Sequence, residues 1–257
     1  MTTIRLEHVS HVFAGGVQAV TDATLSISPG EFVSVVGPSG CGKTTLLNLV
    51  AGLIGHQTGE ISVAERSPKA GRHDVAYMLA RDSLFPWRTA LHNVMLAGEF
   101  RGVPRGRREK RAREFLENVG LSGFEGAYPK ALSHGMRQRV ALARTFSMES
   151  SILLMDEPFG ALDAQTKLQL EEVLLDLWSL EKRTVIFITH DLNEAVTLSD
   201  RVVVMSARPG RIIADIPIAL PRPRSVRGLQ KDPRYHEIYA EVWACLEQAL
   251  VSAERPR

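Results

Sequence analysis

The most informative stretch of this chain is rich in glycine and ends in a lysine and two threonines. Residues 37–45, the phosphate loop, read Gly37, Pro38, Ser39, Gly40, Cys41, Gly42, Lys43, Thr44 and Thr45. They match the pattern G-x-x-x-x-G-K-[ST], follow the apolar run 32–36 and precede a helical pattern. Glycine backbones can surround an anion with N–H groups, and a helix N-terminus adds positive potential. We expect the loop to bind a nucleotide, with Lys43 on its β- and γ-phosphates and Thr44 on Mg²⁺.

A pair of carboxylates ends the second informative stretch. The apolar run 152–155 is followed directly by Asp156 and Glu157. Successive side chains of a strand point in opposite directions, so the two carboxylates can serve different partners. We expect Asp156 to ligate Mg²⁺ and Glu157 to act as the general base for an attacking water.

Three further segments stand in an order that matches a known family. Residues 132–139 read Leu-Ser-His-Gly-Met-Arg-Gln-Arg, which resembles the L-S-G-G-Q signature of ABC-type ATPases. Ala161-Leu162-Asp163 follows the carboxylate pair, and His190 follows the strand pattern 184–189. The resemblance covers about residues 4–216. It implies the ATP-binding subunit of an ABC transporter, an ATPase with ATP and Mg²⁺ as cofactors.

The resemblance also implies a homodimer that shares its nucleotides. In this family the phosphate loop of one subunit faces the signature of the other, and ATP holds the two together. Ser133, Gly135 and Asp163 would then contact the nucleotide of the facing copy.

Three more residues take roles from the resemblance. His190 would hydrogen-bond the γ-phosphate and hold the attacking water. Phe13 would stack on the adenine ring, and Val20 would pack on the same base. An aromatic residue near a strand end is otherwise typical of a core.

Two positions depart from the family pattern. Counting six residues back from Pro86 gives Ala80, where the family usually carries a glutamine. Alanine offers no side-chain oxygen, so either the role is vacant or Asp82 supplies it. His134 replaces the first signature glycine, and its side chain either crowds the facing nucleotide or donates to its phosphate. The alternative is therefore an ATP-dependent dimerising module with weak hydrolysis.

Two segments indicate the type of transporter. Phe85-Pro86-Trp87 and the Arg-Pro-Gly-Arg-Ile segment at 208–212 resemble importers for nitrate, sulfonates and taurine. That group implies integral-membrane permease subunits, an extracytoplasmic solute-binding protein, and a peripheral location on the cytoplasmic face of the bacterial inner membrane. The other alternative, a non-transport ABC ATPase acting on DNA or ribosomes, usually has two ATPase domains or a long coiled coil, which 257 residues cannot hold.

Composition agrees with a globular protein. Hydrophobic residues make up 44% and charged residues 23%, and the net charge of +2 is too small to indicate a nucleic-acid partner. No secretory signal is expected from the N-terminal residues, and the basic stretch 101–113 is typical of a solvated helix face. Cys41 and Cys245 form no disulfide framework, and a helix N-terminus should lower the thiol pKa of Cys41.

The elements that must position these residues alternate between strands and helices. This predicts an α/β protein with a P-loop NTPase core and a parallel sheet, an N-terminal antiparallel β subdomain and an inserted α-helical subdomain. We expect an ATPase domain over 1–220, with the helical insert at about 89–147. Residues 221–257 are predicted to form a linker and an amphipathic C-terminal helix.

Overall fold

The computed structural model describes residues 3–160 and 162–254, with side chains up to residue 250. The strands are β1 Ile4–Val12, β2 Gln18–Ile27, β3 Phe32–Val36, β4 Thr58–Val63, β5 Val75–Met78, β6 Ile152–Asp156, β7 Thr184–Ile188, β8 Arg201–Met205 and β9 Ile212–Pro217. The helices are α1 Lys43–Val50, α2 Ala90–Val94, α3 Leu96–Phe100, α4 Arg105–Asn118, α5 His134–Ser147, α6 Ala164–Glu181, α7 Leu192–Leu198, α8 Val226–Leu229 and α9 Pro233–Glu254. The chain divides into two compact units, Met1–Arg72 with Lys182–Arg257, and His73–Glu181.

The first unit begins with an antiparallel sheet in the order β2-β1-β4. Ile4 of β1 pairs with Ile27 on one side and with Val63 on the other, and all three are buried. The alternation of apolar and polar residues along β1 reflects one buried and one solvated face.

The same unit holds the strand that leads to the phosphate loop. β3 lies between β7 and β8 and is parallel to both, while β9 pairs antiparallel with β8. All five residues of β3 are buried, as expected for a central strand covered on both faces. Because α1 begins at Lys43, the phosphate loop spans the turn from this buried strand into a helix.

The C-terminal part of the first unit is packed rather than loose. α9 is present as predicted and contributes Tyr235 and Val242 to a buried cluster with α7 and β8. The Tyr235 hydroxyl bonds to the Asn193 side-chain oxygen on α7 at 3.0 Å. In the predicted linker, Arg222 donates to Asp200 at 2.8 Å, and Arg224 donates to carbonyls at the end of α7.

Among its described residues, the second unit combines the parallel strands β5 and β6 with the helices α2 to α6. β5 and β6 run side by side in register, with Val75 opposite Ile152 and Met78 opposite Met155. The predicted helical stretch 89–147 divides into α2 to α5, since proline and glycine interrupt it near Pro104 and Gly120. The predicted α/β class, antiparallel N-terminal sheet and helical insert are confirmed. Within the described ranges, no helix is both long and apolar enough to cross a bilayer.

Candidate functional site

The backbone of the phosphate loop requires glycine at two positions. Gly40 and Gly42 have φ values of 72° and 106°, in the left-handed region that other residues avoid. A Cβ atom on Gly42 would lie 2.6 Å from the carbonyl oxygen of Ala19. Gly42 therefore lets the start of α1 sit directly against β2.

The segment 208–212 supports the phosphate loop from another side. The Arg208 guanidinium donates to the Gly40 carbonyl at 3.1 Å, and the Gly210 N–H donates to Ala19 at 3.0 Å. A Cβ atom on Gly210 would come within 1.9 Å of the Cys41 carbonyl oxygen. The Arg-Pro-Gly-Arg-Ile motif thus packs on the loop.

The ammonium group of the loop lysine lies against the backbone of the phosphate loop. Lys43 is only 6% exposed, and its Nζ donates to the carbonyls of Gly37 at 2.8 Å and Pro38 at 3.1 Å. Thr44, in the first turn of α1, is exposed, whereas Thr45 is buried. A glycine-rich turn, a helix N-terminus and an ammonium group converge here, which is the chemistry of a phosphate site.

Cys41 differs from the sequence prediction. Its thiol is almost completely buried, and this burial raises its pKa, although Lys43 acts in the opposite direction. The prediction of a lowered pKa is wrong because loss of solvation outweighs both the nearby cation and the helix terminus.

The two predicted adenine-binding residues differ in exposure. Phe13 is 43% exposed and stands edge-on to the His11 ring, with ring centroids 4.6 Å apart. It opens a tight turn in which its N–H donates to the Val17 carbonyl at 2.9 Å. Val20 is fully buried beneath Gly42, where it can support the loop. Their contacts with adenine stay predictions.

His190 is exposed on a firmly bonded turn between β7 and α7. The Thr189 hydroxyl accepts from the Asp191 N–H at 3.0 Å and donates to the buried Glu194. Asp191 in turn caps α7 by accepting from the Asn193 N–H at 2.9 Å. The turn therefore fixes the backbone position from which the imidazole projects.

In the second unit, the predicted metal ligand ends β6 and has a neighbour that sequence analysis missed. The Tyr77 hydroxyl, on β5, hydrogen-bonds the Asp156 carboxylate. Burial and this carboxylate raise the pKa of Tyr77, so the hydroxyl stays protonated as a donor. Glu157 follows with φ at 46°, a left-handed conformation that is unusual for a side chain of this size.

The signature begins α5. The Ser133 side chain caps this helix by accepting from the Met136 N–H at 3.2 Å, and His134 is exposed at its first position. A Cβ atom on Gly135 would lie 2.7 Å from a methyl carbon of Thr166 on α6. The small residue thus allows the close approach of α6.

Asp163 lies at the start of α6. Its carboxylate accepts from the Thr166 N–H at 3.0 Å, and hydrogen bonds from Thr166 lower its pKa. It is therefore an exposed, ionised capping residue. Its predicted neighbour Ala161 lies outside the described residues.

Residues 80–87, which we call the 80–87 loop, include Ala80 in place of the family's usual glutamine. Ala80 is exposed, and the Asp82 carboxylate accepts from the Arg137 Nε at 2.8 Å. Asp82 is thus bound to a guanidinium of the signature helix, which favours the alternative that the glutamine's role is vacant. Sequence analysis missed this role of Arg137, although the residue lies within the signature segment 132–139.

The predicted Mg²⁺ ligands fit that ion by their chemistry. In the part of the chain that the structure describes, no group of three or more His, Cys, Asp or Glu residues could hold a metal ion. Mg²⁺ usually takes one or two protein ligands and completes its shell with phosphate oxygens and water. A threonine hydroxyl and a carboxylate, the groups that Thr44 and Asp156 carry, are ligands of the kind that such a site uses.

Comparison with known proteins identifies the family to which these features belong. The family described as "ABC transporter" matches residues 20–160. The aliphatic sulfonates import ATP-binding protein SsuB of Bacillus cereus is 44% identical over 227 residues, which cover 87% of this chain and 89% of that protein. The taurine import ATP-binding protein TauB of Rhizobium johnstonii is 40% identical over 251 residues, covering 95% and 96%.

A solved structure gives the same result for the fold. The dimeric post-hydrolysis state of the ATP-binding cassette MJ0796, bound to ADP and Pi, superposes with a TM-score of 0.73. It is 30% identical and covers 85% of this chain and all of that one. The likeness confirms the predicted P-loop NTPase fold.

Proposed function

Because the chain belongs to the ABC transporter family, we propose that it is the ATP-binding and ATP-hydrolysing subunit of an importer. The solute would be small and of the nitrate, sulfonate or taurine type. The names of SsuB and TauB support this assignment, since both are import ATP-binding proteins that align over most of this chain.

The observation that carries the proposal is the geometry around Lys43. Its amino group is buried at the backbone of a left-handed glycine turn that opens α1, a site built for nucleotide phosphates. Lys43 would bind the β- and γ-phosphates of ATP, while Thr44 and Asp156 would hold Mg²⁺. When bound, Mg²⁺ neutralises charge on the phosphate oxygens.

Hydrolysis would then use two residues, each of which lies just after a buried strand. Glu157 accepts a proton from water as the water oxygen bonds to the γ-phosphorus and the bond to the ADP oxygen breaks. His190 donates a hydrogen bond to the γ-phosphate and holds the water. The Tyr77 hydroxyl would hold the Asp156 carboxylate in place by its hydrogen bond.

We propose that the subunit works as a homodimer on two permease subunits. Ser133, Gly135 and Asp163 would contact the nucleotide of the facing copy. The dimeric state of the MJ0796 cassette supports the homodimer. In the 80–87 loop, Trp87 is 69% exposed and packs against Phe85 with centroids 5.2 Å apart, which suits a docking contact with the permease. The subunit would lie peripherally on the cytoplasmic face of the bacterial inner membrane, and an extracytoplasmic solute-binding protein would select the solute.

The test uses a variant that binds ATP without hydrolysing it. Glu157→Gln preserves size but removes the base, so we expect it to bind ATP and to elute as a dimer with ATP and Mg²⁺ during size-exclusion chromatography. Adding Lys43→Ala should return it to a monomer, because each charge-assisted bond to phosphate contributes about 1.5–3 kcal/mol. Hydrolysis at the wild-type rate by Glu157→Gln, or unaltered ATP affinity in Lys43→Ala, would contradict the proposal.

The alternative of a dimerising module with weak hydrolysis is favoured by two observations. Ala80 has no side-chain oxygen to serve as the family's glutamine does. The Asp82 carboxylate, which could have taken that role, is bound to Arg137. Phosphate release by the wild-type subunit in membranes with its permease distinguishes the two. Release that solute-loaded binding protein stimulates supports the importer, whereas persistent lack of turnover supports the module.

A further inference from the structure

One guanidinium in the second unit joins the 80–87 loop to the signature. The Nε of Arg137 donates to the Asp82 carboxylate at 2.8 Å, and its Nη1 donates to the Leu132 carbonyl at 2.9 Å. Leu132 directly precedes Ser133, the capping residue of α5. Arg137 therefore spans from the loop to the residue at which the signature begins.

Further bonds make the loop a firmly held segment. The half-buried Arg144 guanidinium, two turns further along α5, donates to the carbonyls of Asp82 at 2.7 Å and Ser83 at 2.8 Å. On the other side, the fully buried Asn93 of α2 accepts from the Phe85 N–H at 2.8 Å. The tip with Trp87 is largely exposed, whereas side-chain bonds from α5 and α2 hold the residues before it.

The next residue of α5 extends this connection. Gln138 is buried, and its amide donates to the carbonyl of Pro158, which follows Glu157. Arg137 and Gln138 thus attach one turn of α5 to the 80–87 loop and to the segment that carries the predicted base. Two neighbouring side chains thus connect the 80–87 loop, the signature and the segment after Glu157 within a single unit.

We propose that Arg137 is a positioning residue, and Asp82 its anchor, which together set the place of the signature according to the position of the 80–87 loop. This inference rests on the proposed function, because it assumes that the signature contacts the nucleotide of a facing copy. It gives the loop a route to the nucleotide that needs no oxygen from position 80. Asp82 serves here as an acceptor for Arg137 and not as a metal ligand.

The inference predicts a defect in dimer formation and not in nucleotide binding. In the Glu157→Gln background, Asp82→Asn removes the charge of the anchor at constant size. We expect ATP affinity of the monomer, measured with a fluorescent ATP analogue, to change less than twofold. The dissociation constant of the ATP-bound dimer, measured by analytical ultracentrifugation, should rise about tenfold, the effect of losing one charge-assisted hydrogen bond.

Restoring the charge pair in reverse separates positioning from general damage. Asp82→Arg with Arg137→Asp should recover most of the dimer affinity, whereas either change alone should not. Glu109→Gln is the matched control, because Glu109 forms a similar 2.8 Å ion pair with Arg113 on α4, away from the signature. It should leave dimer formation unchanged.

Two results would overturn the inference, and they differ from failure of the proposed function. Equal dimer affinity in Glu157→Gln with and without Asp82→Asn would remove the positioning role. An equal loss in Glu109→Gln would show that any ion pair of this unit has the same effect. A Glu157→Gln protein that never dimerises with ATP would instead refute the proposed function, and this inference with it.

Discussion

At the scale of single residues, Glu157 combines a predicted chemical role with an unfavourable backbone. Its φ of 46° lies in the left-handed region, which costs a non-glycine residue about 1–2 kcal/mol. Such conformations gather at functional sites, where the surrounding structure enforces them. The left-handed backbone therefore sets the direction of the Glu157 carboxylate at a cost in folding stability.

This cost can be measured by comparing two variants that both lack the carboxylate. We expect Glu157→Gly to unfold with a free energy about 1 kcal/mol higher than Glu157→Ala in urea titrations, since only glycine is unstrained there. The control is Asp176, exposed on α6, where glycine should be the less stable variant by a similar amount. Equal stabilities of the two Glu157 variants would show that the left-handed conformation is not costly.

Cys41 gives a second prediction at this scale. Burial raises its thiol pKa, so the reactive thiolate forms only at higher pH than in an exposed cysteine. In a Cys245→Ser background, we expect iodoacetamide to label folded protein at pH 7 at least about tenfold more slowly than guanidinium-unfolded protein. Labelling of the folded protein should accelerate as pH rises. Mass spectrometry measures both rates, and equal rates would contradict the burial of the thiol.

At the scale of elements, α7 is held at both ends. Asp191 caps its N-terminus next to His190, and Arg224 donates to the carbonyls of Thr197 and Ser199 at its C-terminus, at 3.1 and 2.6 Å. Burial, together with the like charge of Arg222, lowers the pKa of Arg224 to about 10, so it remains protonated near neutral pH. The segment predicted as a linker therefore caps a helix.

Replacement of this cap should destabilise the fold. We expect Arg224→Met to lower the free energy of unfolding by about 2–4 kcal/mol, because buried carbonyls lose their donors. Arg234→Met is the matched control at an exposed arginine that pairs with Asp232, and should leave the free energy of unfolding nearly unchanged. Urea unfolding of both variants is the measurement. Similar losses in the two would show that Arg224 has no special role.

Elements with strong periodicity or motif context could be predicted from sequence, and others could not. β3, β6 and β7 are short apolar runs next to chemical motifs, which made them recognisable. β9 was missed, because Ile212–Pro217 ends in a proline and its sequence lacks a regular alternation of apolar and polar residues. The bonds of Arg222 and Arg224 to the end of α7 and to Asp200 were also missed, since a Pro-Arg repeat resembles a spacer and these acceptors lie more than 20 residues away.

At the scale of the whole molecule, the proposed function requires that ATP hydrolysis be coupled to the permease. Trp87 is largely exposed at the tip of a loop whose base is fixed by Arg144 and Asn93. We expect Trp87→Ala to leave the ATPase activity of the isolated subunit unchanged but to reduce solute transport per ATP hydrolysed severalfold in membranes. The reason is that loss of a large aromatic contact weakens docking without touching the nucleotide residues.

Trp243 provides the comparison. It is 47% exposed on α9, so Trp243→Ala removes a similar surface without altering the 80–87 loop. Transport assays and phosphate release in the same membranes distinguish the variants. Equal coupling in Trp87→Ala and the wild type would exclude this tip from the docking surface.

Sequence motifs indicate the candidate nucleotide-binding residues but not the residues that hold them in place. Lys43, Asp156, Glu157 and His190 stand in contiguous motifs with distinct chemistry. Tyr77, Asn93 and Arg137 act through partners distant in sequence, and each is an ordinary residue type in its local pattern. Asp82 shows where prediction from sequence ends. From the sequence alone, an aspartate at this position can be either a metal ligand or an ion-pair partner.

The arginine cap on α7 also decides where this chain tolerates a change of length. Arg222 and Arg224 reach Leu198, Asp200 and Ser199 from a short segment, so one inserted residue after Leu220 would rotate both guanidinium groups away from their acceptors. The turn at Gly15 and Gly16 has open space around both residues and leads only back to β2. Natural insertions, epitope tags or circularly permuted termini should therefore leave the fold intact at that turn and disrupt it in the segment that carries the cap.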